Sequence, residues 1–338
     1  MKPRIKIVLL LVGFICIILL SIVATTLLAL VGSSTTTIYI NPPEIVDPAI
    51  QPYDTISVFV MLDNIVNMKT CEFNLTFSPE ILSIEQIDIL ELQGQYPQAN
   101  MHFDDTKGYI WIKMSYQNPQ TISNGNSFVE IEFYVMDYGS TDLHFESTSL
   151  IDASEQPISH ETNDGFVWIL KRNIIVQNIW IPYNETYVER IVSVNVTVLN
   201  DGDLLENFTV TLFADNQVVA TIILSLPSGE ETLLEFFWNT SEASPSLQPY
   251  VIRAEASTVP YETDVSDNTL IDGEIMLKIV GDINGDGNVD IDDLIEWDNA
   301  YGSQPGDPNW DEQADINFDE IVNKADAELI LEHYRETI

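Results

Sequence analysis

The chain has almost no cysteine and little positive charge, and each shortage excludes a class of protein. Only Cys16 and Cys71 occur in 338 residues. Cys16 lies in an apolar N-terminal run and Cys71 stands alone in the rest, so the exported part has no internal disulfide framework. Cys71 reads instead as a small buried hydrophobe. Thirteen Lys and Arg face 53 Asp and Glu, a formal net charge of −40. So acidic a chain repels a phosphate backbone at every approach, which excludes nucleic acid as a partner. The four histidines, His102, His144, His160 and His333, are scattered with no HExxH spacing, and no GxSxG, phosphate-loop or dinucleotide fingerprint occurs. Carboxylates able to cleave a glycoside are abundant, but no stretch is left over for a catalytic domain with a deep site. The chain is read as not an enzyme.

What is present begins with apolar surface. Hydrophobic residues make up 45% of the chain, enough for two or three cores. Lys2, Arg4 and Lys6 precede an uncharged run from Ile7 to Val31. As a helix over about 7–31 it would span roughly 37 Å, enough to cross a bilayer. It is either a membrane anchor or a cleaved signal, and no A-x-A cleavage pattern follows it. Either reading leaves the basic end inside and exports everything after Gly32. Sequons at Asn74, Asn184, Asn195, Asn207 and Asn239 would accept glycans there.

Beyond a spacer the pattern turns to period two. TISVFVML (Thr55 to Leu62), EFNLTF (Glu72 to Phe77), YIWIKM (Tyr109 to Met114) and FVEIEFYV (Phe128 to Val135) alternate, separated by turn clusters such as Ser123-Asn124-Gly125-Asn126. This predicts a β-sandwich over 38–172. A second series, VSVNVTVL, FTVTLFA, VVATIIL, TLLEFFW and YVIRAEA, with turns at Asp201-Gly202, Asp215-Asn216 and Ser228-Gly229, predicts an immunoglobulin-like sandwich over 173–278. Residues 1–37 form the leader or anchor and spacer, and 279–338 a small helical module. The fold class is thus mainly β.

In the last segment period two stops and two acidic loops appear. DINGDGNVDIDD places Asp282, Asn284, Asp286, Asn288, Asp290 and Asp293 at positions 1, 3, 5, 7, 9 and 12, with Gly287 at position 6. Hard oxygen ligands at that spacing, with the carbonyl of Asn288 at position 7, suit one Ca2+ ion, and the glycine makes the turn that folds them inward. DINFDEIVNKAD repeats the spacing 33 residues on: Asp315, Asn317, Asp319, the carbonyl of Ile321, Asn323 and Asp326. Glu320 stands where the first loop has glycine, and a strained backbone there costs about 1 kcal/mol. Two calcium sites are therefore expected, the second weaker. Each loop runs into a helix, roughly Ile291 to Tyr301 and Lys324 to Arg335.

A duplicated loop-then-helix with Asp as the last ligand resembles the dockerin type I family. That resemblance implies calcium-dependent folding and a cohesin partner held through helix faces. The matching positions are Ile291, Asp292, Asp298 and Asn299 in the first repeat and Lys324, Ala325, Leu331 and Glu332 in the second. The first sandwich, from VFVMLDNI through CEFNLTFSPEILSIEQ and GYIWIKM to DGFVWI, resembles a cohesin, a fold shared with carbohydrate-binding modules. Tyr109, Trp111 and Lys113 lie on one face of their strand; turned outward, that face could take a sugar or a dockerin helix. The middle sandwich, with VTVLNDGD and YETDVSDNTL, resembles CARDB-type adhesion domains; Glu262, Asp264 and Asp267 are read as an exposed acidic loop, and no site is assigned to them. The resemblances imply a non-catalytic scaffold or adaptor, anchored at the extracellular face of the cell membrane or secreted, whose partners are cohesin- or dockerin-bearing proteins, with self-association and polysaccharide breakdown also open. The alternative is a carbohydrate-binding or adhesion protein with a structural calcium module.

Overall fold

The computed structural model describes residues 35–338, and the expected N-terminal helix lies outside them. Among the described residues no helix is long and apolar enough to cross a membrane. The chain divides into two compact units, one ending at Ile169 and one beginning at Leu170.

In the first unit strands β1 (Thr37–Asn41), β2 (Glu44–Val46), β3 (Thr55–Asp63), β4 (Ile65–Thr76), β5 (Leu82–Ile89) and β6 (Gln98–Asp104) come first. They are followed by β7 (Tyr109–Ile122), β8 (Asn126–Val135), β9 (Gly139–Asp152), β10 (Glu161–Asn163) and β11 (Gly165–Ile169). A five-stranded sheet, β10-β1-β3-β8-β5, faces a six-stranded one, β2-β11-β9-β4-β7-β6. The period-two runs form these layers because alternate side chains point to opposite faces, and the inner set of both sheets makes one core. Ile110, Ile112 and Met114 are buried in it, so Tyr109, Trp111 and Lys113 take the outer face. There Trp111 Nε1 donates to Glu72 Oε1 at 3.0 Å and the Lys113 ammonium lies 2.9 Å from Glu72 Oε2.

One local departure from alternation shapes this core. Phe128 and Val129 are both buried, and the β3–β8 register passes from Val60↔Val129 to Met61↔Ser127, leaving Phe128 unpaired as a bulge. Its ring meets Phe73 edge-on at 6.1 Å. Cys71 lies in the same core, and burial pushes its thiol far above the usual range. A thiolate is the reactive form, so an aromatic disulfide reagent should leave Cys71 untouched in the folded chain and label it only through the unfolding transition in urea. Rapid labelling without denaturant would refute this burial.

The second unit begins with β12 (Ile174–Trp180), β13 (Glu185–Tyr187), β14 (Ile191–Asn200) and β15 (Glu206–Ala214). It continues with β16 (Gln217–Leu226), β17 (Glu231–Asn239), β18 (Tyr250–Ala256) and β19 (Thr269–Lys278). Sheets β12-β14-β17 and β13-β19-β18-β15-β16 enclose a second core that includes Val194, Val196, Leu212, Phe236 and Ile252. At its margin Arg172 makes a bidentate pair with Glu206, whose side chains are 11% and 3% exposed. Arg172→Met would leave Glu206 charged, buried and unpaired. Its unfolding should therefore come at lower urea, with a loss of about 3–5 kcal/mol. The double change Arg172→Met, Glu206→Leu should recover most of that.

Two helices, α1 (Ile291–Ala300) and α2 (Lys324–Glu332), complete this unit. They share a small core of Val289, Ala300, Ala314, Ile316, Val322 and Ile330, into which the middle sandwich inserts Tyr187.

Candidate metal centre

Each helix starts from a loop held by its own carboxylates. In the first loop Asp282 accepts from the amides of Gly285 at 2.9 Å, Asp286 at 3.1 Å and Gly287 at 3.1 Å. Asn284 Oδ1 takes the Asp286 amide at 2.9 Å and Asp286 Oδ1 the Asn288 amide at 2.9 Å. Asp293 closes the ring, Oδ1 accepting from Ile283 at 2.7 Å and Oδ2 from Asp290 at 2.8 Å. Asp290 caps α1 through the Asp292 amide, so positions 9 and 12 form a capping box.

The second loop reproduces this pattern at the same offset. Asp315 accepts from Asp319 at 3.1 Å and from Glu320 at 2.9 Å, Asn317 from Asp319 at 2.9 Å, and Asp319 from Ile321 at 3.0 Å. Asp326 takes the amides of Asn317 at 3.1 Å and Asn323 at 2.8 Å, and Asn323 caps α2. The Ile321 carbonyl accepts from the Asn323 side chain at 3.0 Å.

The repeat extends beyond the loops. After α1 the chain pairs with position 8 of the second loop, Gly302 N–H to Val322 and Val322 N–H to Ser303; after α2 it pairs with position 8 of the first, Arg335 N–H to Val289 and Val289 N–H to Glu336. The backbones of Val289 and Val322 thus bond to the partner repeat's post-helix segment. Three left-handed positions recur at this offset in both repeats. In the first they hold Gly285, Gly287 and Gly302; in the second, Phe318, Glu320 and Arg335, at φ 59°, 64° and 79°. The sequence pattern flagged Glu320 alone. Applying the 33-residue offset to every glycine would have found the other two.

Asp282, Asp293, Asp315 and Asp326 are all buried, and among the described residues none makes a direct ion pair with Lys or Arg, although Lys278 acts on Asp282 and Arg190 on Asp315 through space. Burial pushes Asp282 and Asp315 above the ordinary carboxylate range. Among the described residues no three His, Cys, Asp or Glu side chains converge as a ready metal cluster. The loop oxygens instead face the loop's own amides, and the remaining donors are asparagine side chains and carbonyls. An all-oxygen donor set containing two buried carboxylates per loop, none in a direct ion pair, fits a hard divalent cation.

Around the loops, the middle sandwich supplies contacts that the sequence pattern did not signal. Tyr187 Oη donates to the Gln313 carbonyl at 2.6 Å, Lys278 Nζ to Gln313 Oε1 at 2.6 Å, and the Arg190 guanidinium to the Ile316 carbonyl while lying 4.7 Å over the Phe318 ring. The eight positions expected to meet a partner, Ile291, Asp292, Asp298, Asn299, Lys324, Ala325, Leu331 and Glu332, are all exposed, Ile291 by 55% and Leu331 by 58%.

These features define a mainly β chain that ends in a duplicated loop-helix module, and family comparison divides it into the same segments. Residues 45–169 match the cohesin domain, 171–272 match CARDB and 280–333 match the dockerin type I domain. The three matched models describe non-catalytic interaction or adhesion modules. Similar solved structures include a non-cellulosomal cohesin from the hyperthermophilic archaeon Archaeoglobus fulgidus, 20% identical at TM-score 0.33, covering 40% of this chain and 91% of that one. Another is the third cohesin ScaC in complex with the ScaB dockerin from Acetivibrio cellulolyticus, 16% identical at TM-score 0.35, covering 40% and 98%. A type II cohesin from the cellulosome of the same organism is 14% identical at TM-score 0.34, covering 39% and 95%. No curated protein matches the chain.

The left-handed positions give a direct test of the asymmetry. Glu320→Gly removes a Cβ from strained backbone and should stabilise the second loop by up to about 1 kcal/mol. Read by calorimetry, that would be a gain of roughly fivefold in the calcium affinity expected of the second loop. An unchanged or lowered affinity would show that this backbone strain does not weaken the second loop.

Proposed function

We propose that the chain is a non-catalytic assembly protein of the exterior, whose dockerin segment binds a cohesin when its two loops hold calcium. The ligands are Asp282, Asn284, Asp286, the Asn288 carbonyl, Asp290 and Asp293 in the first loop. In the second they are Asp315, Asn317, Asp319, the Ile321 carbonyl, Asn323 and Asp326. The observation that carries this reading is the combination of buried carboxylates that lack a direct ion pair with exposed helix faces: a cation would neutralise the loops from within while Ile291 and Leu331 stay available to a partner. Calcium would also lock the start of each helix, because the same carboxylates that ligate it hold the capping amides. Since one chain carries both a cohesin and a dockerin segment, it can extend an assembly in two directions. The cohesin segment offers the outer face bearing Trp111, Lys113 and Glu72 to a dockerin helix, and membrane anchoring or secretion follows from the run over 7–31.

A second reading is favoured by the contacts of Tyr187, Arg190 and Lys278 with the module: calcium there would brace the middle sandwich of an adhesion or glycan-binding protein. One experiment separates the two. Sedimentation of the whole chain, alone and with a dockerin and a cohesin as probes, is run in calcium and in chelator. Assembly in calcium, its loss in chelator, and loss of cohesin capture in Ile291→Asp with Leu331→Asp support the proposal. Capture of neither probe, with chelator only lowering the melting temperature of the second unit, would support the bracing role.

A further inference from the structure

Away from the calcium loops, the middle sandwich buries a group of oxygens with nothing to accept. Asn173 stands immediately before β12, and Asp267 and Asn268 immediately before β19, at the end of the loop that carries Glu262. Asn173 and Asn268 are 5% and 3% exposed. Asn173 Nδ2 donates to Asp267 Oδ2 at 3.1 Å, and Asn268 Nδ2 donates to both Glu262 oxygens at 3.2 Å. Glu262 also accepts the amides of Ile174 at 2.7 Å and Val259 at 2.9 Å. These bonds make two side-chain pairs, Asn173 with Asp267 and Asn268 with Glu262, and the bond from the Ile174 amide to Glu262 sets the pairs beside one another.

Three side-chain oxygens of the group remain without a donor. Asn173 Oδ1, Asp267 Oδ1 and Asn268 Oδ1 are each buried and have no hydrogen-bond partner. Exchanging oxygen and nitrogen in either asparagine does not relieve this, because it would turn an amide oxygen onto a carboxylate. Nor do the neighbouring cations reach the group: Lys171 is engaged by Asp201 and Arg172 by Glu206. Two carboxylates and three stranded acceptors at one end of the sandwich, with no hydrogen bond from a basic side chain, suit a positive charge from outside the chain.

We infer that this cluster is a third cation site, for calcium, with Asn173 Oδ1, Asp267 Oδ1 and Asn268 Oδ1 as protein ligands and Glu262 as the group that orients Asn268. The ligands are all hard oxygens, with no imidazole or thiolate that would favour zinc or copper. Its place in the fold gives it a purpose. β12 belongs to the three-stranded sheet and β19 to the five-stranded one, and Val176 N–H already bonds the Asp267 carbonyl at 2.9 Å. A cation there clamps the first and last strands of the sandwich, and so its two sheets, at one end.

The test counts calcium on the whole chain by atomic emission after gel filtration. Asp267→Asn keeps the shape and the contact with Asn173 but removes the charge; it should lower bound calcium by one per chain, while Asp293→Asn lowers it independently and the two losses add. An unchanged count in Asp267→Asn would mean that the cluster holds a buried water, and would overturn the site without touching the loop sites. Should Asp267→Asn fold poorly, crystals of the unaltered chain soaked in terbium provide the second measurement. An anomalous peak about 2.3–2.6 Å from the three named oxygens is expected, and its absence under conditions that fill the loops would also sink the inference.

Discussion

Four buried aspartates, Asp282, Asp293, Asp315 and Asp326, organise everything at the C-terminal end of this chain. Each accepts at least two backbone amides of its own loop, which bends the loop and fixes the first turn of the helix that follows. Helices of this length are marginal alone, and these have only a small shared core. The carboxylates therefore substitute for a nucleus, at the cost of concentrating negative charge where water cannot screen it. A cation that neutralises them couples charge compensation to folding, which is why ligand binding and helix formation become one event under the proposed reading.

The two repeats share a plan but not a composition. The pairing of each post-helix segment with position 8 of the other loop makes the module a closed two-part unit. At the three left-handed positions that both repeats share, the first has glycine and the second has Phe318, Glu320 and Arg335. One of these substitutions has a visible use, since the Phe318 ring receives the Arg190 guanidinium of the middle sandwich. Strain in the second repeat thus accompanies an anchoring contact, and the module is joined to its neighbour through Tyr187, Arg190 and Lys278.

Acidity acts at three levels here. Over the whole chain, a charge of −40 keeps phosphate away and favours divalent cations near the surface. In the loops it is gathered into spaced oxygens. In the middle sandwich it is folded inward with asparagine oxygens around Glu262 and Asp267. The same excess of carboxylate that would be a mere solvated surface elsewhere acquires specificity only where backbone geometry collects it.

The sequence by itself determined the layers and the loops. Period-two runs such as TISVFVML and FVEIEFYV lie inside β3 and β8, and the helices begin at Ile291 and Lys324 as read, because alternation and capping are local properties of neighbouring residues. Both helices end earlier than the pattern suggested, at Ala300 and Glu332, where left-handed Gly302 and Arg335 soon follow. β6, QANMHFD, was not legible, because nearly every residue of this edge strand is exposed and it carries no alternation. Which face of YIWIKM turns inward was decided only by packing, since both faces are apolar enough to be core. Tertiary structure alone also brought Tyr187 to Gln313, and Asn173 to Asp267 across 94 residues. No periodicity reports such meetings: a stranded acceptor is a property of what surrounds an oxygen, and in a chain this long those surroundings come mostly from distant sequence.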